Sequence, residues 1–366
     1  MLFHNKIPGN VKFDFQDFSI IPAIQTNIIS RQDVDPYTEV ESLPLFVAPM
    51  DTVVNKWNLN LFLLADLRVC LPRENENKQI NFTEINKMIA SARANVFNSV
   101  SLTQFQHLIY KDIVIPSNAN KRFYLLVDIA NGHISTLESC IKDFKKRYPK
   151  AVLMVGNIAN PETFRILSKA GADYIRVGIG GGHACTTSAN VAIHFPIASL
   201  IFECYRKKLN EDLETKIVAD GGFKNYDDII KALALGADYV MVGSLFNKTL
   251  EACGQAYLFN FKITNDLVEK IFTKRYLRFF KPYLTRKYRG MSTKEVQKDW
   301  NKQKLTTSEG IIKRNKIEYS ILTWVENFRD YLKSAMSYSN CENLKRFKEG
   351  SEGIFISTNS FKRYHK

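Results

Sequence analysis

Ala170-Gly171-Ala172-Asp173-Tyr174-Ile175-Arg176-Val177 and Leu235-Gly236-Ala237-Asp238-Tyr239-Val240-Met241-Val242 are two copies of one piece of chain grammar. In each, a helical pattern stops at glycine and a short β-rich run restarts at once. Pro161 stands in the first turn of the helix before the first copy, where a missing N–H is harmless. Working outward, the same unit recurs. Apolar runs lie at 45–48, 67–71, 96–100, 123–127, 152–155, 174–177, 216–219 and 239–242. Helical spacing fills 55–65, 83–94, 104–111, 134–145, 161–170, 197–207 and 226–235. Strict alternation of strand and helix predicts a parallel sheet. Eight such units predict that the sheet closes into a (β/α)8, or TIM, barrel.

Beyond about residue 255 the pattern loosens. Residues 264–315 are polar and rich in Lys and Arg, and read as a long loop or flap. Residues 318–336 return to helical spacing through Ile321, Trp324, Val325, Phe328, Leu332 and Met336, as a closing helix. The tail Phe361-Lys362-Arg363-Tyr364-His365-Lys366 reads as a frayed terminus. The expected organisation is one barrel domain over 1–366 with no inserted regulatory domain.

Composition fits this picture. The chain has 366 residues, 45% of them hydrophobic, which is enough for a large core. No apolar run reaches the roughly 18–20 residues of a membrane span. The first residues lack the order of a signal peptide. A cytoplasmic, membrane-free protein is expected. Cysteines at 70, 140, 185, 204, 253 and 341 have no CxxC spacing, so neither a zinc site nor a disulfide framework is suggested. The net charge of +14 suits an anionic ligand or a nucleic acid. The basic residues are dispersed, which favours a solvated surface and argues against nucleic acid as a partner.

Barrel enzymes work at the C-terminal ends of their strands. After the sixth strand comes Gly178-Ile179-Gly180-Gly181-Gly182-His183-Ala184-Cys185-Thr186-Thr187. Its glycines let the backbone approach a ligand closely. Cys185 there is either a nucleophile with Thr187 as its hydrogen-bonding neighbour or an inert buried thiol. Asp220-Gly221-Gly222 and Gly243-Ser244 follow the seventh and eighth strands. They suit a ribose hydroxyl and a phosphate, or are plain turn glycines. The first and fourth loops offer Ala48-Pro49-Met50-Asp51-Thr52 and Asp128-Ile129-Ala130-Asn131-Gly132-His133.

Taken in order, Pro49-Met50-Asp51-Thr52-Val53, Asp128 through Gly132, Gly156-Asn157, the Gly178–Thr187 loop, Ala219-Asp220-Gly221-Gly222, Gly243-Ser244 and Tyr288-Arg289-Gly290-Met291-Ser292 closely resemble the IMP dehydrogenase/GMP reductase family. That resemblance implies a homotetramer acting on a purine nucleotide. Cys185 would attack C2 of the purine. Asp220 would hold the ribose, and Gly222, Gly243 and Ser244 the phosphate, with Gly221 and Tyr288 also substrate-binding. Met50, Asn157, Gly290, Met291 and Ser292 would complete the nucleotide site, with Arg176 supporting the reaction centre. Asp128, Ala130, Asn131, Gly178 and Arg73 would face the nicotinamide cofactor. Backbone carbonyls of Gly180, Gly182 and Cys185 would hold a monovalent cation, K+.

The family runs two reactions through one covalent adduct. A dehydrogenase oxidises IMP with NAD and hydrolyses the adduct with help from an Arg-Tyr pair on its flap. A reductase expels ammonia from GMP, uses NADPH, and needs an acid beside the cysteine and threonine. Here, within the flap of about 286–312, the segment after Gly290-Met291-Ser292 holds no Arg-Tyr dipeptide and runs to Ser308-Glu309-Gly310, similar to the reductase pattern. The expected activity is therefore NADPH-dependent reduction of GMP, with Cys185, Thr187 and Glu309 catalytic. The alternatives are an IMP dehydrogenase without the regulatory domain and a nucleotide- or RNA-binding relative of low turnover, the last suggested by the charge of +14 and the altered cysteine loop. Two departures from the family pattern stand out. His183 replaces a serine that contacts phosphate, and Thr306 replaces an arginine found in some reductases.

Overall fold

The computed structural model describes residues 11–73, 95–110, 122–300, 305 and 307–364. The helix expected at 83–94 and the Thr306 position lie outside the described residues. A first strand, β1 (Phe18–Ile21), precedes the barrel. The barrel strands are β2 (Leu45–Val47), β3 (Arg68–Leu71), β4 (Val96–Val100), β5 (Tyr124–Asp128), β6 (Val152–Ile158), β7 (Tyr174–Val177), β8 (Lys216–Asp220) and β9 (Tyr239–Val242). They pair in parallel in chain order, and β9 closes back on β2. The (β/α)8 expectation holds, with each sequence run within a few residues of its strand.

The repeated grammar has a physical cause. Gly171 ends the helix Pro161–Ala170 at φ +106°, and its N–H bonds the carbonyls of Leu167 and Ser168. Gly236 takes φ +112° after the helix Tyr226–Ala234. Asp173 then accepts from the N–H of Leu153 on β6 and from Lys145 Nζ at 2.7 and 2.9 Å. Asp238 accepts from Ile217 N on β8 and from Lys208 Nζ, each at 2.8 Å. In both copies one carboxylate ties a strand entrance to the preceding strand and to the helix before it. Burying a side chain such as Phe164 or Leu167 under these helices contributes about 1.5–3 kcal/mol each.

Inside the barrel, Phe46, Phe97, Tyr174 and Tyr239 box the buried guanidinium of Arg68, whose carbon lies 4.8–5.3 Å from the four ring centres. Arg68 Nη1 also donates to Tyr174 Oη at 2.8 Å. Leu126, Met154, Val218 and Met241 continue the filling. The barrel is thus a packed core, and a ligand site can form only at its mouth.

Two expectations need correction. The stretch 264–315 is no structureless loop. With β10 (Ala256–Leu258), β11 (Phe261–Ile263), β12 (Leu284–Arg289) and β13 (Ile312–Lys316) it makes a four-stranded antiparallel sheet in the order β11-β10-β12-β13. Helix Asn265–Thr273 packs on it, burying Ala256, Val268, Ile271, Leu284 and Ile317. Alternation along β12 (buried Leu284, Arg286 and Tyr288) was hidden because its middle buried position is a charged arginine. The tail is not frayed as far as it is described. β14 (Glu352–Phe355) pairs with β1, and residues Thr358–Tyr364 are helical. Phe355 meets the ring of Phe13 edge-on at 5.2 Å. The helix expected at 318–336 forms as Ile321–Tyr338.

Candidate active site

A cavity of about 480 Å³ opens at the C-terminal end of the barrel strands. Its floor is set by β5 to β8. Arg176, at the end of β7, donates to Asp128 Oδ1 at 2.6 Å and to Asp220 Oδ2 at 2.7 Å. Arg73 Nε donates to the other oxygen of Asp128 at 3.0 Å. Burial pushes the Asp128 carboxyl up, but the Arg176 and Arg73 guanidiniums outweigh it and hold it below the usual carboxylate range. Burial likewise disfavours the Arg176 cation, and Asp220 and Asp128 more than restore it. Asn157 Nδ2 donates to Gly178 O and Asp220 Oδ2, each at 2.8 Å. These bonds converge on Asp220 Oδ2.

Gly178 has φ +133°, and a β-carbon there would come within 2.0 Å of Asp220 O. Only glycine lets the cysteine loop leave β7 so close to the end of β8. The loop places Cys185 half-buried in the cavity wall. Cys185 Sγ donates to Thr187 Oγ1 at 3.1 Å, and Thr187 Oγ1 donates to Glu309 Oε2 at 2.6 Å. The backbone fixes this geometry. Thr186 N donates to Glu309 O at 2.8 Å, Ile311 N donates to Ala184 O at 2.9 Å, and Cys185 bridges to Gly310 as in an antiparallel strand pair.

A second wall is made by Gly221, Gly222, Gly243 and Ser244, with Met50, Tyr288, Gly290, Met291 and Ser292 also lining the cavity. A β-carbon on Gly243 would stand 3.0 Å from Met50 Sδ and 3.1 Å from Tyr288 Oη. Burial raises the Tyr288 phenol above its ordinary value, so it stays a neutral O–H donor. His183 lines the same wall, and burial first, then Lys313, Lys224 and Lys248, depress its imidazole. Ala130 lines the opposite side with Arg73 and Asp128. Asn131 does not; it is exposed, and its Oδ1 accepts from His133 N at 3.1 Å. The carbonyls of Gly180 and Gly182 each accept an internal hydrogen bond, from Ser188 Oγ at 3.0 Å and Cys185 N at 2.9 Å. Each keeps one lone pair for a cation, and no cluster of three metal-ligating side chains occurs among the described residues.

Sequence reading missed the residues that seat the flap. Arg289 reaches Asp51 on the first barrel loop and Asp299 Oδ2 at 2.7 Å on the flap helix Lys294–Asp299. Trp300, just after that helix, is buried over the Arg73 guanidinium at 5.2 Å from its ring centre. Gln297 and Thr307 also line the cavity. A lone tryptophan in a polar stretch was the one available signal for this contact.

Residues 118–267 match the family model for the IMP dehydrogenase / GMP reductase domain. The chain is 33% identical over 239 residues to the inosine-5'-monophosphate dehydrogenase of Chlorobaculum parvum, a match covering 65% of this chain and 46% of that protein. It is 30% identical over 249 residues to the GMP reductase of Staphylococcus epidermidis, covering 66% of this chain and 73% of that protein. The chain belongs to the IMP dehydrogenase/GMP reductase family. This family member spans about half the length of the Chlorobaculum dehydrogenase it matches. Relatives of both names match it, so the family is shared while the two activities diverge. No helix among its described residues is long and apolar enough to cross a membrane.

Proposed function

We propose that this family member is a GMP reductase that converts GMP to IMP and ammonia. The observation that carries this reading is the hydrogen-bonded line from Cys185 through Thr187 to Glu309. It links a nucleophile to an acid/base through one hydroxyl, as the expulsion of an amine requires. In this reading the thiol gives its proton along the line to Glu309, and Sγ bonds to C2 of the purine. Glu309 returns a proton through Thr187 to the 2-amino group, and the C2–N bond breaks to release ammonia. NADPH supplies, when bound, the hydride that replaces the sulfur at C2. Arg73, Asp128, Ala130 and the ring of Trp300 are the groups that would orient its nicotinamide.

The nucleotide's ribose would meet Asp220 and Gly221, since Asp220 Oδ1 has no hydrogen-bond partner among the described residues. Its phosphate would meet Gly222, Gly243, Ser244 and the Tyr288 hydroxyl, which also has no described partner. Asn157 would hold Asp220, and Met50, Gly290, Met291 and Ser292 would frame the base. Gly180, Gly182 and Cys185 carbonyls are the candidate K+ ligands. We assign 1–366 to one catalytic unit with its flap at about 286–312, working as a cytoplasmic homotetramer. Light scattering on the purified protein tests that assembly.

The alternative is an IMP dehydrogenase, favoured by the identity to the Chlorobaculum protein. Against it stands a flap segment after Ser292 without an Arg-Tyr dipeptide. Parallel assays at the nicotinamide absorbance band decide the matter. Oxidation of NADPH with GMP and matching ammonia release support the reductase. Reduction of NAD with IMP would replace it with the dehydrogenase, and nucleotide binding without turnover would support a relative of low activity.

A further inference from the structure

His133 lies on the loop after β5 and takes no part in the proposed reaction. Two neighbouring loops run side by side there. The pairing of β5 with β6 continues past the end of β5 at Asp128. Ile129 N donates to Gly156 O at 2.9 Å, Asn157 N to Ile129 O at 2.7 Å and Gly132 N to Asn157 O at 2.8 Å. A β-carbon on Gly132 would meet Ile158 Cγ2 at 2.7 Å and Asn157 O at 2.8 Å, so the two segments are in direct contact. The next rung is made by a side chain. Ala159 N donates to His133 Nε2 at 3.0 Å, where a strand would offer a carbonyl.

This bond assigns the tautomer. A ring nitrogen that accepts from a peptide N–H carries a lone pair, so the ring proton sits on Nδ1. Nδ1 donates to Thr163 Oγ1 at 2.9 Å, in the first turn of the helix Pro161–Ala170. One imidazole thus fastens the loop after β5 to both the loop and the helix after β6. Burial pushes the imidazole down, in keeping with a neutral ring. Charged side chains at the near ends of the flanking elements are already paired. Asp128 is held by Arg176 and Arg73, Glu138 by Lys142, and Glu162 by Arg165 and Lys207. Protonation at Nε2 would set an N–H against the Ala159 N–H and break the rung.

The rung bears on the cavity through Asn157. That residue lies two positions before Ala159, and its Nδ2 donates to Gly178 O and Asp220 Oδ2. We propose that His133 is a positioning residue for the nucleotide site: its neutral ring latches the loop 157–160 and, through Asn157, holds Asp220 for the nucleotide's ribose. This rests on the reading of the cavity as a nucleotide site. The latch is closed at neutral pH. It opens as pH falls through the folded value of His133, which lies below the ordinary histidine value.

Hydrogen exchange of the whole chain tests the latch without any turnover. With intrinsic rates divided out, protection of the Ala159 amide should fall about five- to tenfold between about pH 7.5 and about pH 5. In His133→Gln an amide oxygen can accept at the Nε2 position and does not titrate, so protection should stay high at both. In His133→Ala it should be low at both. Circular dichroism checks that each variant folds. GMP affinity, read by calorimetry at the higher pH alone so that His183 does not titrate, should fall several-fold in the alanine variant and recover in the glutamine variant. Protection independent of pH in the unaltered protein, full protection in the alanine variant, or GMP affinity untouched by alanine would overturn the proposal. The expected exchange pattern in a protein that binds no GMP would uphold the latch and remove the reading of the cavity as a nucleotide site.

Discussion

Thr187 Oγ1 lies 2.6 Å from Glu309 Oε2, although 122 residues separate them in the chain. The hydroxyl also accepts from Cys185 Sγ, so it is the middle member of a three-group line. Removing either end of the Thr187–Glu309 bond should stop proton delivery while leaving nucleotide binding intact. Glu309→Gln and Thr187→Val are expected to slow ammonia release by about 10²–10⁴-fold. Cys185→Ala should abolish turnover and keep GMP binding, read by calorimetry. If Glu309→Gln releases ammonia at the wild-type rate, the acid/base assignment fails.

Arg176 stands between two carboxylates in a buried site, and breaking such a pair on one side strands the other charges. Arg176→Leu should therefore destabilise the fold by about 3–5 kcal/mol, measured by urea denaturation. The pH dependence has a definite sign. The Asp128 carboxyl is held below its unfolded value, so its contribution is complete above about pH 4 and is lost as pH falls through the folded value. Asp128→Asn should remove that acid-side loss. An unchanged acid limb in the variant would show that Asp128 is not its source.

The two glycines of the repeated unit should respond differently to alanine. At Gly236 a β-carbon would meet the Tyr205 ring at 2.2 Å as well as a left-handed φ. At Gly171 it would meet only the flexible Lys145 side chain, at 3.3 Å. Gly171→Ala is expected to cost about 1–2 kcal/mol from backbone strain alone. Gly236→Ala adds overpacking worth about 1–3 kcal/mol more. Thermal melts of the two variants rank them, and equal melting temperatures would contradict the packing argument.

His183 lines the cavity wall where partial burial, and after it three lysines, hold its imidazole below the ordinary histidine range. A bound phosphate dianion reverses that local field and favours the protonated ring. GMP affinity should therefore rise several-fold as pH falls from about 8 to about 6, across the ordinary histidine range. His183→Ser should flatten the profile. The same slope in the serine variant would assign the pH dependence to the nucleotide's phosphate alone.

Much of this was legible in the chain. Local rules set the barrel units, because a helix stop, an aspartate and a β-branched run act within a few residues of each other. The cysteine loop was legible for the same reason, since Gly178 to Thr187 is one continuous segment. Tertiary structure decided the rest. Nothing local pairs Glu309 with Thr187, Arg289 with Asp51 or Trp300 with Arg73, since flap and barrel loops meet only after the sheet has closed. The β10–β13 sheet also escaped, because Arg286 on β12 and Lys313 and Asn315 on β13 put polar residues on the less exposed face and erased the alternation that marks a strand. Sequence fixes what neighbours along the chain can do for one another, whereas the meeting of distant loops at the barrel mouth depends on how the strands close around a filled core.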